Sequence, residues 1–213
     1  ILHSSYPHEI LHNYWGNGVF VDYDKGNWSE GLAAYLADHL VSEQRGKGVA
    51  YRRDVLQKYT DFVSKEKDFP IEKFVSRHSS SSEAVGYGKT MMFFHMLRQE
   101  LGDKDFIRVL RRFYSKFKFT QATFDDLQET FSAITDRDFT DTFQQWIARS
   151  GAPNLVLQMA ESKSTADGYR LKIMLKQTHP GQPYNLTVPV AVYLADQQVI
   201  QSRIKLHQRT HVI

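Results

Sequence analysis

The chain has 213 residues, 41% of them apolar and 24% charged, with a formal net charge of +3 and no cysteine. That length supports one good core, or one core with a small second unit. No run of eighteen apolar residues is present to form a transmembrane helix, the missing cysteines exclude disulfides and thiolate metal sites, and the positive excess is too small and too dispersed for a nucleic-acid surface.

The first predicted helix covers about residues 5–15 and contains His8-Glu9-Ile10-Leu11-His12, an H-E-x-x-H pattern. Two histidines four apart share one helix face, because four residues turn about 400° at 3.6 per turn. Both imidazoles can then reach one metal ion, and Glu9 lies beside them, where a carboxylate can take a proton from a water held there. The competing reading is a surface helix that carries two histidines.

The second predicted helix, about 29–44, has Ser29 as its candidate N-cap and an apolar face of Leu32, Tyr35, Leu36 and Leu40. Glu30 lies in its first turn. Taken alone it is an acid favoured by the helix dipole; taken with His8 and His12 it completes a His₂Glu set with a fourth position open, the usual catalytic zinc arrangement. The related pattern with a third histidine six residues after the second is excluded, because Gly18 stands there.

Further helices are predicted over about 48–67, 70–77, 83–101, 103–117, 123–134 and 137–150, with Gly46, Gly48, Gly102 and Gly151 as stops. The polar loop Ser79 to Ser82 leads into the helix that carries Tyr87. Read by itself, Tyr87 is a core aromatic whose face continues through Met91, Phe94 and Leu97. The most basic stretch, Lys104 to Lys118, repeats Phe106, Leu110, Phe113 and Phe117 at helical spacing, which makes a core face with its charges in solvent. His95, in an apolar helix, is read as a satisfied core histidine.

After Gly151-Ala152-Pro153 the pattern changes to short alternating strands, at Asn154 to Met159, Tyr169 to Gln177, Leu186 to Leu194 and Val199 to Leu206. Residues 151–213 hold seven Lys/Arg against three Asp/Glu, while the helical part is nearly balanced. His207 and His211 lie in a strand-like tail with no acid beside them and are read as incidental.

Two segments, His8-Glu9-Ile10-Leu11-His12-Asn13-Tyr14-Trp15-Gly16-Asn17 and Trp28-Ser29-Glu30-Gly31, resemble the M1 family of zinc aminopeptidases. A third, Val85-Gly86-Tyr87-Gly88-Lys89-Thr90, resembles that family's Y-x-K-G segment. The resemblance implies one Zn²⁺ ion held by His8, His12 and Glu30, with Glu9 as general base and Tyr87 as hydrogen-bond donor to the oxyanion. It implies a mainly α fold: a thermolysin-like helical zinc-peptidase catalytic domain over 1–150, then a small β unit, immunoglobulin-like, over 151–213.

Some positions depart from the family pattern. Seventeen residues separate His12 from Glu30 where the family has eighteen, Ser29 stands for Asn and Thr90 for Gly. The family also places an acid seven residues after the ligand glutamate. This chain has Ala37 there and an acid, Asp38, one residue later.

The expected activity is zinc-dependent hydrolysis of peptide bonds, chiefly removal of N-terminal residues. The alternatives are a thermolysin-like endopeptidase and a non-catalytic binding module of the same fold. The expected partner is a peptide substrate, with no nucleic acid and no membrane segment in this chain, and the compartment is left unassigned. The family's G-x-M-E-N amine-binding strand is absent, so the chain is read as an excised catalytic piece, with the rest of its parent upstream and little activity alone.

Overall fold

In the computed structural model, which describes residues 5–212, helices form where the apolar spacing is helical and strands where it alternates. The chain divides into two units, with the boundary between Gly151 and Ala152.

Helix α1 (Ser5–His12) is shorter than predicted. Asn13 turns its side chain back to the Ile10 carbonyl, and Gly16 takes φ +122°, so the chain leaves the helix directly after the second histidine. A short strand β1 (Phe20–Val21) follows. Next comes one helical rod in three parts: α2 (Trp28–Ala33), a π-helical segment π1 (Ala34–His39) and α3 (Leu40–Gln44). Its N-cap is Asn27 and not Ser29. The Asn27 carboxamide oxygen accepts from the Ser29 backbone N–H at 3.1 Å and from the Ser29 hydroxyl at 2.8 Å, which places Ser29 inside the first turn.

Helix α4 (Gly48–Phe62) ends five residues before its predicted limit. The helix expected at 70–77 is only a 3₁₀ turn, Ile71–Lys73, because Pro70 and Phe74 on either side are both extended. Ser79 caps α5 (Ser80–Glu83), which runs into a second π-helical segment, π2 (Ala84–Lys89), and then α6 (Thr90–Leu101). Gly102 at φ +78° separates α6 from α7 (Asp103–Phe117). The unit closes with strand β2 (Gln121–Ala122), α8 (Phe124–Thr135), capped by a Thr123/Asp126 box, and α9 (Thr140–Trp146). Strand β2 pairs in parallel with β1.

The core of this unit is largely aromatic. Trp28, Tyr35, Phe93, Phe94, Phe106, Phe113 and Phe131 are all essentially buried. Trp28 stands edge-on to Phe113 at 5.4 Å between centroids, and its indole N–H donates to the Ala122 carbonyl at 2.8 Å. Phe106, Val109, Leu110 and Phe113 form the buried face of α7, and Phe117, the fourth residue of the predicted face, is half-buried at its end.

The second unit contains β3 (Leu155–Thr165), β4 (Gly168–Gln177), β5 (Leu186–Tyr193), β6 (Val199–Leu206) and β7 (Thr210–Val212). Strand β4 lies between β3 and β7, and β5 pairs with β6; all these pairings are antiparallel. The sequence pattern gives β7 only as a strand-like tail with no bounds, and it ends the first strand at Met159, six residues short.

Candidate metal centre

The break after His12 positions the first two ligand candidates. His8 is buried and His12 half-buried on one face of α1, with ring centroids 4.8 Å apart. Asn27 starts α2 so that Glu30 falls in its first turn and meets both rings. The Glu30 Oε2 atom lies 3.3 Å from His8 Nε2 and 3.3 Å from His12 Nε2. Among the described residues these three form the one group of His, Asp and Glu side chains able to hold a metal ion, with ligand atoms all within 4.8 Å of one another.

The spacing suits zinc. Ligands about 2.0–2.1 Å from a tetrahedral ion lie roughly 3.3–3.4 Å apart. The other ring nitrogen of each imidazole is occupied. His8 Nδ1 lies 2.9 Å from Asp38 Oδ2, and His12 Nδ1 lies 2.9 Å from the Trp15 carbonyl oxygen. Each Nδ1–H therefore donates outward and each Nε2 faces Glu30, where its lone pair becomes available to a metal once its proton is released. Trp15 is itself fixed by the aromatic core, against Trp28 and Phe113.

Asp38 reaches His8 because of π1. Two α-helical turns bring residue i+7 back over residue i. A π-helical turn closes with i→i+5 bonds and holds about one residue more, so the eighth residue takes that place. The acid offset by one in the sequence is thus returned to register by a widened turn.

Without a metal the site is strongly polarised. Burial alone would lower the His8 pKa, but hydrogen bonds to Asp38 and Glu30 outweigh it and raise His8 to about 9. His12 is raised chiefly by its hydrogen bond to Glu30. Burial works against ionisation of Glu30 too, yet hydrogen bonds from His12, His8 and Tyr87 hold its carboxyl well below the usual range. A site that favours a carboxylate between two cationic rings in this way will also favour a divalent ion in place of the two protons.

Tyr87 sits on π2 with its ring stacked over His8 at 6.1 Å. Burial, followed by the Glu30 carboxylate, pushes its phenol above the ordinary value, so it stays protonated and able to donate. Glycines allow this approach. A Cβ on Gly31 would lie 2.3 Å from the Thr90 side chain, and one on Gly86 would lie 2.2 Å from the Phe74 ring. The rods bearing Glu30 and Tyr87 therefore meet at a contact with no room for another carbon.

Glu9 is exposed and lines the same cleft, about 500 Å³ in volume, as His8, His12, Glu30 and Tyr87. The structure thus brings all five sequence-derived site residues together. Asp38, the candidate orienting acid eight residues after Glu30, makes the contact with His8, although the family's own spacing points to position 37.

Comparison with known proteins agrees with the geometry. Residues 4–146 match the peptidase family M1 domain. The chain belongs to that family. It is 32% identical to aminopeptidase N of Lactobacillus helveticus over 82% of this chain and 21% of that protein. It is 24% identical to mitochondrial aminopeptidase 2 of Saccharomyces cerevisiae, over 97% of this chain and 22% of the relative. It is also 24% identical to the alanine/arginine aminopeptidase of the same yeast, over 95% of this chain and 24% of the relative. The chain therefore spans about a quarter or less of the length of these M1 relatives. No helix among the described residues is long and apolar enough to cross a membrane.

Proposed function

We propose that this M1 chain carries the metal centre of a zinc aminopeptidase, with His8, His12 and Glu30 as ligands. The observation that carries the reading is the 3.3 Å convergence of two imidazole Nε2 atoms on one carboxylate oxygen, with both outer nitrogens already occupied. The names of the relatives supply the exopeptidase direction. The helical unit is read as thermolysin-like and the β unit as immunoglobulin-like, on family membership and the alternating strands.

When bound, zinc supplies Lewis acidity to a water and to the scissile carbonyl. Glu9 accepts the proton of the attacking water and later returns it to the leaving amine. Tyr87 donates a hydrogen bond to the carbonyl oxygen as it gains charge; such a donor is worth about 10²–10³-fold in rate in well-organised sites. Asp38 and the Trp15 carbonyl hold the two imidazoles in orientation.

The test is metal content. Purified wild type is expected to hold one zinc per chain, and His12→Ala to lose it while keeping the helical circular-dichroism signal. Equal zinc in the two proteins, with any affinity tag removed, would overturn the ligand assignment.

A further inference from the structure

The far wall of the cleft carries charge that the metal site does not use. Lys58 on α4 and Arg77 in the loop before α5 both line the cleft with Glu83, which lies four residues before Tyr87. Lys58 Nζ is 3.5 Å from Glu83 Oε1, and Arg77 Nη1 is 3.4 Å from Glu83 Oε2. One carboxylate is shared between two cations, one at each oxygen, which leaves an excess of one positive charge. Among the described residues neither cation has another ion-pair partner, and both side chains are well exposed, at 59% and 60%. Arg77 is also placed against the site: its guanidinium carbon is 5.9 Å from the centroid of the Tyr87 ring.

We propose that Arg77 and Lys58 bind a carboxylate of the substrate and give this cleft a preference for peptides that carry one close to the scissile bond. The inference rests on the peptidase reading of the cleft. Three features point to it. Exposed ion pairs are weak and exchange partners readily, so an incoming carboxylate can compete with or join Glu83. The unused guanidinium nitrogens offer the planar fork that binds a carboxylate through both oxygens. The distance is also short: Arg77 lies within about 12 Å of the His8 ring by way of Tyr87. An extended chain advances about 3.3–3.4 Å per residue, so the recognised group is no more than about three to four residues from the bond cleaved. An ammonium group would be repelled here, which sets this wall apart from the acid-rich metal end with Glu9, Glu30 and Asp38.

The carboxylate can come from an acidic side chain or from the C-terminus of a short peptide. Four tripeptides separate these sources: Ala-Ala-Glu-amide, Ala-Ala-Gln-amide, Ala-Ala-Ala as the free acid, and Ala-Ala-Ala-amide. Dissociation constants for metal-stripped protein, from NMR titration, report recognition without catalysis. kcat/KM at matched zinc content reports it in turnover. Wild type is expected to prefer one or both carboxylate peptides over their neutral partners by about three- to tenfold, the scale of two exposed charge contacts. A preference in the Glu/Gln pair assigns the wall to side chains, and one in the acid/amide pair assigns it to the C-terminus.

The ratio should fall toward one in Arg77→Gln, reverse in Arg77→Glu, and rise in Glu83→Gln, which removes the internal competitor; a purely structural role for the triad would not produce that rise. Ratios of one in wild type for both pairs, or the same ratio in Arg77→Gln as in wild type, would overturn the proposal. Loss of hydrolysis with binding preferences intact would count against the peptidase reading alone.

Discussion

The helical unit buries ring against ring, whereas the hydrophobic cluster of the β unit is built from four buried aliphatic residues, Ile173, Leu175, Ile204 and Leu206. The helical core carries two ring networks, one of Trp15, Trp28 and Phe113 and one of Phe106, Phe131, Phe143 and Phe93, with centroids 4.9 to 6.4 Å apart. Strand β3, by contrast, is exposed along nearly all of its eleven residues. Large flat side chains in fixed contact leave few alternative packings. Every ligand candidate lies in the unit packed this way, and the backbone carbonyl that orients His12 belongs to Trp15, whose ring is packed in that core. A metal site needs its ligands held to a fraction of an ångström. Among the described residues the β unit has no such group to hold, and its polar order is local: Gln177, fully buried, donates to the Tyr184 and Gln208 carbonyls and accepts from the Tyr184 N–H.

The largest effect tests the chemistry that the rigid unit is there to hold. Glu9→Gln keeps the shape of the side chain but cannot take a proton. In the full-length parent, peptide hydrolysis should fall by about 10²–10⁴-fold, the usual range for a general base, with zinc content unchanged. Loss of metal along with activity would give Glu9 a structural role in place of the catalytic one.

The contrast between the two packings can be broken from either side. Gly86→Ala drives a methyl into the Phe74 ring, and such overpacking costs about 1–3 kcal/mol. Because Gly86 adjoins Tyr87, hydrolysis should fall well beyond the loss of folded protein. Leu206→Ala empties a fully buried aliphatic site, at about 2–5 kcal/mol. Under conditions where both variants remain folded, it should leave zinc affinity at the wild-type value. A Leu206→Ala protein with weakened zinc binding would show that the site depends on the β unit's packing.

How far the sequence revealed this arrangement depended on the local rule involved. The i,i+4 spacing of His8 and His12 is a geometric statement in itself, and the switch from helical to alternating apolar residues after Gly151 is equally direct. The structure stops short of the helix limits expected at 15, 67 and 77, because turn chemistry at Asn13, Val63 and Pro70 overrides apolar periodicity that continues past them. The two π segments leave no such periodic signature: Ala34–His39 and Ala84–Lys89 read as ordinary helix. A widened turn depends on what packs against it, and so the placement of Asp38 became visible only in three dimensions.

Asp38→Asn tests that placement. The amide can still accept from His8 Nδ1–H, but it lacks the charge that strengthens the imidazole as a ligand. Replacing such partners typically costs about 10–100-fold in metal affinity or activity. Competition with a zinc chelator should show the loss, with Ala37→Asp, one position away, unable to restore it in the Asp38→Asn background. Rescue by Ala37→Asp would mean that the rod is α-helical there and that the widened turn plays no part.

The smallest effect concerns acid, and it again separates the units. Behind the metal centre, the Tyr35 hydroxyl accepts from Arg98 at 3.3 Å and donates to His95 Nδ1 at 3.1 Å. Arg52 donates to His39 Nε2 at 2.7 Å, so His39 is neutral, and the two histidine rings are 5.3 Å apart. Arg98 pairs with Glu43 at 2.7 Å and with Asp103 at 2.7 Å. Burial first, then the charge of Arg52, lowers the His95 pKa to about 4, with Glu43 opposing. An unfolded histidine takes its proton near 6.5. Between about pH 6.5 and pH 4 the unfolded chain therefore binds more protons than the folded one, and stability falls as pH falls through that window; above pH 6.5 this group contributes no slope. All three tryptophans, Trp15, Trp28 and Trp146, belong to the helical unit, so their fluorescence in urea titrations at a series of pH values reports this unit alone. His95→Gln keeps an acceptor for Tyr35 but cannot be protonated in this range, and it should flatten the stability curve between pH 6.5 and pH 4. An unchanged slope in that variant would move the acid sensitivity to His39, whose pKa is also lowered, chiefly by burial.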